Sequence, residues 1–154
     1  MNSTVQILQL ISSSLEKTIN SFAIDSRQLS NLYRYSVMNK ISLLYLEAVK
    51  ESYNLPIFKS VHAAKYARYT KILKLIARVS HLLVAKDIEH VIFKTLRPYT
   101  SATVDIDVLI FEDKSNYKEL VGAMRKAGYQ LVVYGPRSTT LWDQEANIGI
   151  DLYE

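Results

Sequence analysis

Val104-Asp105-Ile106-Asp107-Val108-Leu109-Ile110-Phe111 is the stretch on which the reading of this chain turns. Apart from its two aspartates it is an unbroken apolar run rich in β-branched residues, the composition of a strand. Side chains alternate across a strand, so Asp105 and Asp107 share one face while Ile106, Val108 and Ile110 share the other. A strand destined for a core does not ordinarily carry two carboxylates on one side. Taken alone, Asp-x-Asp is most simply a solvated strand face. In apolar company, two carboxylates this close repel each other and ask for a cation.

A third acid lies downstream in similar company, Asp151 within Ile148-Gly149-Ile150-Asp151-Leu152-Tyr153. If that segment is a strand beside the first, three carboxylates converge. The intervening pattern supports a sheet. Val91 to Thr95, Val104 to Phe111, Gln130 to Tyr134, Ser138 to Trp142 and Ile148 to Tyr153 read as strands. Ser115 to Ala127 reads as a helix capped by Ser115 and ended by Gly128. Gly135-Pro136 forms a turn, and Glu145-Ala146-Asn147 joins the last two strands. The second half is therefore ββαβββ.

The first half has helical spacing and almost no breakers. All four glycines lie at or after Gly122, and Pro56 is the one proline before residue 88. Helices are expected near Thr4 to Asn20, Ser26 to Tyr53 with a break near Asn39, and Ser60 to Lys86. In the last of these, Tyr66, Tyr69, Leu73, Ile76, Val79 and Leu83 fall on one side and Arg68, Lys71, Lys74 and Arg78 on the other. The chain is thus expected to be α+β, with a helical region over residues 1–88 packed on a sheet-bearing core over 89–154.

Composition limits the function classes. A chain of 154 residues that is 49% hydrophobic can bury a substantial core. No apolar run approaches the roughly 20 residues of a membrane span, and Val5 to Ile11 has no Lys or Arg ahead of it, so the reading is cytoplasmic with no membrane partner. The absence of cysteine removes disulfides, thiolate catalysis and Cys-type zinc sites. The net charge of +4 is unevenly spread: residues 1–88 carry 12 Lys+Arg against 5 Asp+Glu, and residues 89–154 carry 7 against 10. A basic half with an acidic, carboxylate-bearing half suits a phosphate-bearing substrate.

Ile92-Phe93-Lys94-Thr95, a short loop, Val104 to Ile110 with its Asp-x-Asp, a helix and then Ile150-Asp151-Leu152 together resemble the nucleotidyltransferase fold of the DNA polymerase beta superfamily. The likeness is to its small uncharacterised nucleotidyltransferase-like members, in which a strand ending in Lys-Gly or Lys-Thr precedes the Asp-x-Asp strand, and it covers roughly residues 91–154. The resemblance implies a minimal nucleotidyltransferase core with a short mixed sheet. It implies Mg2+ or Mn2+ bound by Asp105, Asp107 and Asp151, and transfer of a nucleoside monophosphate from a nucleoside triphosphate to a hydroxyl acceptor with release of pyrophosphate. The chain departs from that pattern at Thr95-Leu96, where most members place Gly-Ser or Gly-Gly to cradle the triphosphate. Lys94, Thr95, Arg97 and Ser101 are the candidates to hold triphosphate oxygens in its stead, with Thr103 in the same connection.

Two further functions fit the same residues: a non-catalytic nucleotide- or nucleic-acid-binding module, and the transferase part of a toxin-antitoxin pair. The basic helix 60–86 offers a face for a nucleic-acid or protein acceptor, although a solvated helix face is its usual explanation, and a second copy of the chain is a further candidate partner. Arg137 reads as a solvated turn residue. His62, His81 and His90 share no metal-ligand spacing, Tyr66 and Tyr69 fit an apolar helix side, and Ser12-Ser13-Ser14 has no partnered base.

Overall fold

Backbone punctuation sets where the elements begin and end. In the structure, a computed structural model, residues 2–15, 24–53, 55–97, 99–135 and 137–154 are described. Among them the elements run α1 (Ser3–Leu15), α2 (Ser26–Met38), α3 (Ser42–Ser52), α4 (Pro56–Val84), β1 (His90–Phe93), β2 (Asp105–Ile110), α5 (Lys114–Lys126), β3 (Gln130–Tyr134), β4 (Ser138–Asp143) and β5 (Ile148–Tyr153). The chain is α+β with a mixed sheet. The expected extension of the first helix over residues 16–20 lies outside the described residues. No helix among the described residues is long and apolar enough to cross a membrane.

Helix ends explain most differences from the expected boundaries. The break near Asn39 is a chain reversal with Lys40 in the left-handed region at φ 60°. There Lys40 N–H donates to Val37 O and Ile41 N–H to Ser36 O at 2.9 Å, the paired bonds that close a helix C-terminus. The same pair closes α4 around Asp87 at φ 57° and α5 around Gly128 at φ 99°. Only the last uses glycine. α5 is capped by Asp113, whose carboxylate accepts from Ser115 and Asn116 N–H at 2.9 Å; Ser115 is not the cap. α4 starts at Pro56 rather than Ser60, since a proline costs no hydrogen bond in the first helical turn.

Two compact units divide the chain: residues 1–67 with 98–102, and residues 68–97 with 103–154. The division falls within α4. In the first unit, Ile7, Leu10, Leu29, Leu32, Tyr45, Leu46, Val49 and Phe58 form the core. Tyr45 is wholly buried, donates its hydroxyl to Leu29 O at 2.8 Å, and meets Tyr33 and Phe58 through its ring. Burial first, and then the neighbouring Tyr53, push that phenol well above its ordinary pKa, which keeps it a neutral donor.

The second unit is a five-stranded sheet in the order β1-β2-β5-β4-β3, with β2 and β5 parallel and every other pair antiparallel. One face is apolar: Ile106, Val108, Ile110, Leu141, Ile148, Ile150 and Leu152 are buried. Helices cover this face. Ile72, Leu75, Val79 and Leu83 form the buried stripe of α4, and Tyr117, Leu120, Val121 and Met124 that of α5. Ser80 meets His90 at 3.3 Å, Arg78 pairs with the buried Asp143 at 2.8 Å, and Tyr117 donates to Leu152 O at 3.1 Å. The stripe of α4 thus differs from the expected one: Tyr66 and Leu73 are exposed, and Ile72 and Leu75 take the inner positions.

Ile150 lies at the centre of this packing. Replacing it with Ala is expected to destabilise the second unit by about 2–5 kcal/mol through lost burial and a residual cavity. Trp142, the sole tryptophan, reports that unit in urea unfolding followed by fluorescence. A loss below about 1 kcal/mol would contradict the assignment of this face as the core.

Candidate functional site

The opposite face of the sheet gathers the carboxylates, and strand register is what brings them together. In the parallel β2–β5 pair, Asp107 lies directly opposite Asp151 and Asp105 opposite Gly149. Residues opposite each other share a face, so all three aspartates point to the same side, each half-buried. Gly149 supplies room. A β-carbon there would meet the Trp142 ring at 3.8 Å and Asp105 Cβ at 3.9 Å, so the indole lies across the glycine beside Asp105.

Each carboxylate has a hydroxyl donor. Thr140 Oγ1, across the β4–β5 ladder, lies 2.6 Å from Asp151 Oδ1. Tyr153, two residues beyond Asp151 on the same strand face, donates to Asp107 Oδ1 at 3.2 Å. Thr103, just ahead of β2, donates to Asp105 Oδ1 at 3.3 Å. Burial is the main cause that lifts the Tyr153 pKa above its ordinary value, followed by the bond to Asp107 and the negative charges of Asp107, Asp151 and Asp105. A single phenol therefore feels all three acids.

The side chains expected to hold phosphate are scattered. Thr95 is buried, and its hydroxyl accepts from Asp107 N–H at 2.9 Å while donating to Phe93 O at 3.3 Å. It ties the turn after β1 to the edge of β2, so this hydroxyl is already engaged with backbone. Lys94, at φ 57°, holds its Nζ 4.8 Å from the centre of the Phe93 ring, which in turn meets the Tyr153 ring edge-on at 5.6 Å. Arg97 is exposed in the second unit. Ser101 belongs to the first unit, where its hydroxyl reaches Lys40 O at 3.5 Å.

The basic residues of α4 also divide. Arg68 donates to Thr103 O at 3.4 Å, at the end of β2 where Asp105 stands. Arg78 bonds both Asp143 and Glu145, and those partners raise its pKa, the Glu145 hydrogen bond most of all. It is a structural ion pair rather than part of a solvated face. Lys71 and Lys74 are exposed and lie on the helix that covers the apolar side of the sheet, away from the carboxylates. His62 stacks on Tyr66 at 5.7 Å, and burial is the first cause that lowers its pKa.

Sequence reasoning named the three aspartates and missed Thr140 and Tyr153. The signal for Tyr153 was present as alternation from Asp151; that for Thr140 required the β4–β5 register, which no local pattern carries. Among the described residues no group of three or more His, Cys, Asp or Glu side chains is arranged to hold a metal ion by itself. Magnesium commonly takes only one or two carboxylates and fills its octahedron with water and phosphate oxygens, so the facing Asp107 and Asp151 suit it as a partial ligand set. No protein-family model matches the chain, and a search of curated proteins gives no match.

The coupling of Tyr153 to the acids is directly measurable. Asp107→Asn removes the nearest charge and is expected to lower the Tyr153 pKa toward the ordinary value, as read by ultraviolet difference titration against Tyr153→Phe. In the parent protein the raised pKa contributes stability that is fully present below about pH 10 and is lost as the pH climbs through the folded value. An unchanged Tyr153 titration in the Asn variant would contradict the contact.

Proposed function

We propose that the chain is a metal-dependent nucleotidyltransferase that moves a nucleoside monophosphate from a nucleoside triphosphate to a hydroxyl acceptor and releases pyrophosphate. The observation that carries this reading is the parallel register that sets Asp107 against Asp151 with Asp105 on the same face. Asp105, Asp107 and Asp151 would hold Mg2+ or Mn2+, which supplies charge neutralisation for the triphosphate and acidifies the acceptor hydroxyl. The carboxylate of Asp151 is also placed to take or orient the acceptor proton. Thr140, Tyr153 and Thr103 restrict the carboxylate rotamers, so that less ordering remains when substrate arrives. Lys94, over the Phe93 ring, and Arg97 lie in the same unit as the acids and would meet triphosphate oxygens.

A second reading has its own support. The Thr95 hydroxyl is engaged with backbone where most members of the resembled superfamily place a glycine turn, and among the described residues the acids do not make a metal cage unaided. Both suit a module that binds nucleotide without turnover. The two readings part on chemistry, since only the first yields pyrophosphate.

Two substitutions test the preferred reading. Asp107→Asn is expected to abolish Mg2+-dependent pyrophosphate release with circular dichroism unchanged, and retained activity would refute the assignment. Thr140→Val, which removes an outer-shell hydroxyl from Asp151, is expected to lower the rate by roughly 10–100-fold. Nucleotide binding by the parent protein with no pyrophosphate release for any acceptor would favour the binding module.

A further inference from the structure

A second charged feature lies on the helix-covered side of the sheet and stands apart from the carboxylates. Between α4 and the β4–β5 turn runs a groove of about 340 Å³ lined by Lys71, Lys74, Ala77, Arg78, Glu145 and Ala146. Its single acid, Glu145, is engaged by Arg78, which also binds the buried Asp143. Asp143 Oδ1 in turn accepts from Ala146 N–H at 2.6 Å, so the turn that forms one wall is pinned to the strand beneath it. With Arg78 shared between two carboxylates, that group carries one net negative charge, and Lys71 and Lys74 bring the sum at the groove to +1. Both ammonium groups are on exposed residues one helical turn apart, and neither has an acidic partner among the described residues.

We infer that this groove binds the sugar-phosphate backbone of a single nucleic-acid strand, with Lys71 and Lys74 each meeting a phosphate. Two cations spaced along a helix beside an open groove suit a chain of regularly spaced anions. An acidic protein surface would also need hydrogen-bond acceptors arranged against a broader basic area, and here the third cation is already engaged. The groove and the aspartates occupy opposite faces of the sheet, so strand binding does not depend on nucleotidyl transfer and persists whether or not that activity is found.

Neutralising two phosphates of a single strand gives a salt slope near −1.4, or about a sevenfold loss of affinity as salt rises from about 50 to about 200 mM. The test follows a fluorescein-labelled single-stranded RNA by anisotropy across that range. The Lys71→Glu/Lys74→Glu double variant is expected to bind more weakly and to lose about that sevenfold share of the salt dependence, with Lys71→Gln/Lys74→Gln behaving similarly if charge reversal perturbs the fold. Asp107→Asn, on the other face, is expected to bind RNA as the parent does. Lys118→Glu, at an exposed lysine on α5, lowers the net charge by two as Lys71→Gln/Lys74→Gln does and is the net-charge control for that variant. Absence of RNA binding by the parent, or an equal loss in Lys118→Glu, would overturn the inference. Displacement of RNA by poly-glutamate would assign the groove to an acidic protein instead, and displacement by pyrophosphate at equal phosphate concentration would assign it to a small anion; either result overturns it.

Discussion

The parallel pairing of β2 with β5 is the constraint on which the rest of the second unit depends. Antiparallel neighbours can be joined by a tight turn, whereas a parallel pair requires a long crossover. Here α5, β3 and β4 make that connection, and the chain returns to lay β5 between β2 and β4. The arrangement buries Ile106, Val108, Ile150 and Leu152 on one side and sets Asp107 against Asp151 on the other. Because side chains alternate, a slip of one residue would bury Asp151 and turn Ile150 outward. The apolar face therefore enforces the register that gathers the acids, and stability and site geometry have one cause.

Gathering carboxylates has an electrostatic cost, and the surrounding hydroxyls show how it is moderated. Thr140, Tyr153 and Thr103 each place a donor on a different aspartate. Hydrogen bonds to a charged acceptor stabilise the ionised form and fix its orientation. Burial most of all, and then the three acids beside it, lift the pKa of Tyr153, so the phenol resists becoming a fourth anion. Asp143 shows a different solution on the opposite face, where Arg78 supplies a full positive charge to a buried carboxylate. Acids matched by a cation are structural; acids matched only by hydroxyls retain the capacity to attract one.

Much of this was legible in the sequence, for identifiable reasons. Strands announced themselves by alternation and β-branching, and Asp105, Asp107 and Asp151 stood out as charges inside apolar runs. Helix ends were less legible. Gly128 marks the left-handed end of α5, but Lys40 and Asp87 adopt the same conformation without glycine, and their closing bonds come from chain reversal that composition does not reveal. The buried stripe of α4 was displaced toward Ile72 and Leu75, because Tyr66 and Leu73 are apolar by composition yet exposed. Thr95 was legible as a hydroxyl but not as one bonded to the Asp107 backbone, which only the β1–β2 turn decides.

Terbium is an oxygen-seeking cation whose emission is sensitised by nearby aromatic rings, and its binding tests whether the three aspartates share one ion. Trp142 lies beside Asp105, and Tyr153 bonds Asp107, so an ion held by these acids would be excited through both rings. Saturable sensitised emission that competes with Mg2+ and disappears in both Asp107→Asn and Asp151→Asn is the expected result. Absent emission, or emission indifferent to those two substitutions, would contradict the convergence of the three acids on one cation.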